Sequence, residues 1–119
     1  KREQIMQEWL RNRMRNNLAE LIPKWESIIG VNASHYGIKR MRTKWGSCNS
    51  EKKRIWLNLE LAKKSPQCLE YVLVHEIIHV LEPKHSDRFF ELLDEYMPTW
   101  RIHRDTLDKP PLVHVDWDY

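Results

Sequence analysis

Residues 75–85 read HEIIHVLEPKH, which brings His75, Glu76, His79 and His85 into one short stretch. On an α-helix each residue advances about 100° around the axis, so His75 and His79 stack one turn apart on the same face. Two imidazoles so placed can reach a single ion. Zinc held by imidazoles, with one coordination position left open, is a common hydrolytic arrangement. Glu76 follows the first histidine and falls at the edge of the same stripe. A carboxylate there can take a proton from water activated by a metal. His85 follows His79 by six residues, just past Pro83, where the chain can turn back and offer a third imidazole.

The competing reading is a buried helix that merely carries histidines. The run QCLEYVLVHEIIHVLE is apolar nearly all round, so its helix should be buried. Two histidines and a glutamate inside it would be costly without partners, and a metal supplies one. The histidine spacing also occurs in metzincins, HExxHxxGxxH, but here Glu82 stands at the glycine position and Pro83 follows it. Met97 in EYMPTW reads as a core residue, so the metzincin assignment is rejected. Cys68 lies about two turns below His75, too far to share its ion. Tyr71 lies one turn below, where its hydroxyl can assist a transition state or its ring can pack. His35, His103 and His114 lack matching spacing and read as surface residues.

These side chains need a frame. Ile5, Trp9, Met14, Leu18, Leu21, Trp25 and Ile28 recur at three- and four-residue steps, predicting helix over 3–29. Pro23 should bend or split that helix, and Gly30 should cap its end. YGIKRMRT (36–43) and RIWLNLEL (54–61) read as strands around a turn-rich KWGSCNSEKK, which suggests a hairpin or small antiparallel sheet. Ser65–Pro66 starts the metal helix and Pro83 ends it; Ser86 and Asp87 start another, and Pro98 a short last one to about Leu107. The tail KPPLVHVDWDY should be extended and packed on the body. The expected class is α+β, with the small sheet against helices and the HExxH helix at the centre.

The chain has 119 residues, 41% hydrophobic and 31% charged, which bounds it to one soluble, globular domain. No apolar run approaches the roughly 20 residues of a membrane-spanning helix, and the charged first twenty residues exclude a secretory signal. Cys48 and Cys68 form no CxxC pair or disulfide framework, pointing to a reducing, cytoplasmic setting. A net charge of +3 is too mild to imply nucleic acid by itself. The segment KRMRTK (39–44) does hint at an anionic partner.

On its residues alone, WGSC (45–48) reads as a tight turn with a core tryptophan. Together, however, MRTKWGSCNSEKKRIWLNLEL and CLEYVLVHEIIHVLEPKHSDRF closely resemble the YgjP-like metallopeptidases, bacterial proteins related to the SprT group of HExxH hydrolases. The shared pattern is a basic WGSC segment, an LN-containing strand, YVxxHExxH, and a histidine before a phenylalanine-bearing helix. It covers Ile38 to Leu107. The resemblance implies a zincin-like minimal metallopeptidase, with zinc on His75, His79 and His85 and Glu76 as general base. It also implies that Trp45, Gly46, Ser47 and Cys48 border the substrate cleft, where backbone N–H groups can orient substrate or stabilise an oxyanion. Asn58 would support the site by hydrogen bonding. The family usually has a further N-terminal β-rich region, so residues 1–119 are expected to be a single catalytic domain shortened at its N-terminus.

Three activities fit these residues. Hydrolysis of peptide or protein substrates is the one the family implies. The same metal–water unit can attack nucleoside triphosphates or other phosphoanhydrides, with Lys39, Arg40, Arg42 and Lys44 holding phosphates. A metal-stabilised module that binds DNA or protein without catalysis is the third. The intact Glu76 argues against it, because a purely structural metal needs no base.

Overall fold

The computed structural model describes residues 1–109; the tail from residue 110 on, with His114, lies outside the described residues. The elements run α1 (Arg2–Ile29), β1 (His35–Lys39), β2 (Gly46–Asn49), β3 (Arg54–Asn58), a 3₁₀ segment (Leu59–Lys63), α2 (Pro66–Leu81), α3 (Asp87–Tyr96) and α4 (Trp100–Leu107). The α+β class and the central position of the HExxH helix match the expectation from sequence.

Helix α1 passes through Pro23 as one element, not two. Proline removes one intrahelical hydrogen bond and leaves the carbonyl of Ala19 unclaimed by the helix; both residues are exposed, so water can satisfy that carbonyl. Gly30 ends the helix in the left-handed region, at φ 79° and ψ 32°, and its N–H reaches the Glu26 carbonyl at 2.8 Å. The buried stripe is Leu10, Met14, Leu18, Trp25 and Ile29, which leaves Ile5, Trp9 and Ile28 of the expected stripe exposed. The Trp25 indole N–H donates to Glu70 Oε2 at 2.7 Å and staples α1 to α2.

The sheet is mixed, whereas the sequence suggested an antiparallel one. Its order is β1-β3-β2, with β1 parallel and β2 antiparallel to β3. The third strand, β2, is formed by GSCN, inside the stretch that read as a turn. Its glycine, serine and asparagine carry weak strand signals, and tertiary pairing overrides them. β3 stops at Asn58 because the Asn58 side chain caps the following 3₁₀ segment, accepting from Glu60 N–H at 3.0 Å.

Helix α2 packs against β2, β3, α1, α3 and α4. Every residue from Cys68 to His79 except Glu70 is buried, so the apolar wrap of its sequence is used on all sides. Ile55 and Leu57, both fully buried, belong to the hydrophobic core shared with this helix. Among the described residues, no helix is long and apolar enough to cross a membrane.

Candidate metal centre

Pro83 sets up the site by stopping α2. The helix closes at Glu82, whose carbonyl oxygen accepts from His79 Nδ1 at 3.0 Å. That bond places the proton on Nδ1 and turns the Nε2 lone pair outward, the tautomer a metal ligand needs. Beyond Pro83 the chain doubles back, and Ser86 starts α3 by accepting from Phe89 N–H at 3.3 Å. His85 therefore returns to the helix face: its Nε2 lies 3.2 Å from His75 Nε2 and 3.0 Å from His79 Nε2.

The ligand atoms of these three residues lie within 4.8 Å of one another. Nitrogens bound about 2.0–2.1 Å from one tetrahedral zinc would stand about 3.4 Å apart, close to the observed spacing. Burial, followed by the neighbouring His79 and His85, holds the His75 imidazole well below its ordinary pKa, so it stays neutral and able to coordinate. The donor set and its geometry fit one metal ion.

Phe89, fully buried, forms the floor under all three rings. Its ring centroid lies 4.9 Å from His75, 4.5 Å from His79 and 4.9 Å from His85, stacked on His79 and edge-on to the other two. Ser50, in the turn after β2, donates from Oγ to the His79 carbonyl at 2.6 Å and ties the sheet to the end of α2. Sequence reasoning gave neither residue a place at the site. Phe89 carried a usable signal, one turn into a helix whose cap directly follows His85; Ser50 carried none.

Glu76 is buried at 2% exposure, and β2 lies directly on it. A β-carbon built on Gly46 would stand 2.9 Å from Glu76 Oε2 and 2.9 Å from Val72 Cγ1. Gly46 and Cys48 pair with Leu57 and Ile55, so all four share the face of the sheet turned to α2. Cys48 is half-buried; burial and then the nearby Glu76 push its thiol up to about 11. Ser47 pairs with Trp56 on the opposite face. Trp45 is fully buried, with the Lys64 ammonium 5.7 Å from its ring centre.

Asn58 lies at the end of β3 and fixes the segment that leads into β2. Its side-chain amide donates to the carbonyls of Met41 at 3.0 Å and Lys44 at 2.7 Å, and its oxygen accepts from Met41 N–H at 3.3 Å. Its backbone N–H donates to the Trp45 carbonyl at 2.9 Å. Tyr71 sits edge-on to His75 at 5.9 Å and stacks on Trp100 at 6.4 Å. Its pKa is raised, mainly by burial, so the phenol keeps its proton. His35 is exposed and His103 half-buried, both outside the cluster.

Crystal structures of two metallopeptidase zymogens are among those that share the fold. One is the metallopeptidase zymogen of Pyrococcus abyssi abylysin, with TM-score 0.65 and 18% identity over 76% of this chain and 89% of that one. The other is the metallopeptidase zymogen of Methanocaldococcus jannaschii jannalysin, with TM-score 0.58 and 24% identity over 67% of this chain and 81% of that one. No curated protein matches the sequence. The model of the YgjP-like metallopeptidase domain matches residues 1–110, nearly the full chain and all of the residues just described. The chain belongs to the YgjP-like family of metallopeptidase domains.

Proposed function

We propose that this chain is a zinc-dependent peptidase whose ion is held by His75, His79 and His85 and whose general base is Glu76. The observation that carries the reading is the return of His85 to the buried helix, where its Nε2 lies 3.2 Å from that of His75 and 3.0 Å from that of His79. An all-imidazole donor set suits zinc, and three protein ligands leave the open position that catalysis requires. When bound there, zinc supplies a Lewis acid that polarises a carbonyl and makes nearby water more acidic.

The protein's own residues do the rest. Glu76 Oε2, set against Gly46 of β2, takes a proton as water adds to the scissile carbonyl carbon, then delivers it to the departing amine nitrogen. The hydrogen bond from His79 Nδ1 to Glu82 keeps one imidazole in the coordinating tautomer. β2 is an edge of the sheet and lies beside Glu76, so an extended peptide can pair with its outer backbone groups and bring an amide to the site. The free thiols of Cys48 and Cys68 support a cytoplasmic setting.

The test is a Glu76→Gln variant assayed on an unfolded protein substrate, with bound zinc measured in parallel. The proposal expects full zinc content and a loss of hydrolysis of at least a hundredfold, the scale of general-base catalysis. Undiminished hydrolysis at full zinc content would exclude Glu76 as the base. Protein that binds no zinc, with or without the substitution, would exclude the metal assignment.

A further inference from the structure

We propose that the outer face of the sheet carries a second binding site, one that takes a nucleoside phosphate unit with its base on Trp56 and its phosphate on Arg11, Arg15 and Lys39. The register aligns Gly37, Trp56 and Ser47 across the three strands, all on the face turned away from Ile55 and Leu57. The indole of Trp56 stands between the two small residues and leans over Gly37. A β-carbon on Gly37 would come within 2.2 Å of the indole Cζ3, so only glycine admits this pose. Trp56 is half-buried, with His35 edge-on at 5.2 Å between ring centres.

Beside the indole runs a groove of about 440 Å³ between α1 and β1, walled on its apolar side by Leu18, Ile22 and Ile38. Arg11 and Arg15 line it from α1, and no carboxylate is among its lining residues. Elsewhere cations meet acids, as in Lys24–Glu70 at 3.0 Å and Arg101–Asp94 at 3.0 Å. Here Arg11 is oriented by donating to the Ile38 carbonyl, and Lys39 holds its ammonium 4.5 Å from the Trp56 ring centre. Lys39 is exposed, so a stacking ring needs only one solvated lysine to swing toward the phosphate.

An inorganic anion would use the cations and leave the indole and the apolar wall idle. A flat ring joined to a phosphate uses all three, through stacking and charge-assisted hydrogen bonds. The unit can come from a free nucleotide or from a single strand of nucleic acid. The groove lies at β1, the sheet edge opposite β2, so the site is separate from the metal centre and independent of the proposed chemistry there.

Fluorescence anisotropy on the full chain tests this, with a labelled oligothymidylate of about twelve nucleotides and a labelled adenosine triphosphate as probes. The expectation is saturable binding that a paired Arg15→Ala, Lys39→Ala substitution weakens about tenfold or more. The slope of log affinity against log salt should also flatten by about 1.4 for the strand, because two fewer cations neutralise its phosphates. Trp56→Leu should weaken binding about tenfold, and Trp56→Phe, which keeps a stacking ring, should recover most of it. Tighter binding of the strand identifies nucleic acid as the source, and equal or tighter binding of the triphosphate identifies a free nucleotide. The proposal is overturned if neither probe binds, or if the folded variants bind as the parent does.

Discussion

Gly46 lies flush against Glu76: a β-carbon added to the glycine would stand 2.9 Å from the carboxylate oxygen Oε2 and 3.0 Å from Cγ. The same β-carbon would stand 2.9 Å from Val72 Cγ1, so there is no room for it between β2 and α2. Gly46→Ala must therefore displace Glu76 or push β2 outward. Overpacking of this kind costs about 1–3 kcal/mol of stability. A proton acceptor shifted by even a fraction of an ångström loses catalytic efficiency steeply. The expected result is a peptidase rate reduced at least tenfold with metal content unchanged. Full activity in the alanine variant would show that Glu76 tolerates displacement and would weaken its assignment as base.

Phe89 touches each of the three histidine rings, at 4.5–4.9 Å between centroids. Truncating a fully buried phenylalanine to alanine costs about 3–5 kcal/mol, so Phe89→Ala should lower the denaturation midpoint sharply. Phe89→Leu keeps most of the volume and loses the flat floor. It should stay folded while its metal dissociation constant rises, because the imidazoles gain freedom that metal binding must remove. Competition with a chromogenic chelator measures the constant directly. A leucine variant with unchanged affinity would reduce Phe89 to core filling.

The metal should stabilise the fold as well as serve the chemistry, because the three imidazoles converge only in the native chain. A ligand that binds the native state alone adds about 2.7 kcal/mol at a hundred times its dissociation constant. Chelation should lower the melting temperature, and added zinc should restore it. His79→Ala should melt at the same temperature with and without zinc. A zinc-dependent shift that survives His79→Ala would place the binding elsewhere.

What was legible in the sequence divides along physical lines. The centre could be read because helical periodicity alone places His75 above His79, and because Pro83 forces the turn that returns His85. Gly30, Ser86 and Pro83 marked helix ends through local backbone chemistry, which needs no knowledge of distant residues. The third strand could not be read this way. Gly46, Ser47 and Asn49 are poor strand formers, and β2 exists because it pairs with β3 and lies on α2. The parallel pairing of β1 with β3 was hidden for the same reason, since a hairpin is the local expectation and strand order is set by long-range packing. Ser50 acts across elements, so its place at the site follows only from the fold, whereas Phe89 was within reach through its position one turn past the Ser86 cap.

Asn58 shows how one buried amide can hold a whole segment. It serves Met41 twice, Lys44 once and Glu60 once, with distances from 2.7 to 3.3 Å. Replacing it with alanine removes a helix cap and leaves backbone groups without partners, a combined cost of about 2–4 kcal/mol. Asn58→Asp keeps the acceptor and loses both amide donors, so it should fall between alanine and the parent. Urea denaturation of the three proteins gives the order. An aspartate variant less stable than alanine would mean that burying its charge outweighs the retained acceptor.

Cys48 supplies a chemical probe of the space around Glu76. Its thiol is raised from about 9 to about 11, first by burial and then by the Glu76 carboxylate. Only the thiolate is alkylated, so at pH 8 Cys48 should react with iodoacetamide about a hundredfold more slowly than an ordinary thiol. Between pH 9 and 11 the folded chain keeps a proton that the unfolded chain releases, so this residue makes stability fall as pH rises through that window. Removing the negative charge by Glu76→Gln should bring the pKa down and speed alkylation in chelator-treated protein, while burial keeps it above the ordinary value. Mass spectrometry separates modification at Cys48 from that at the fully buried Cys68. Alkylation of Cys48 with the pH profile of a free thiol would show that the carboxylate and the thiol do not share one enclosed space.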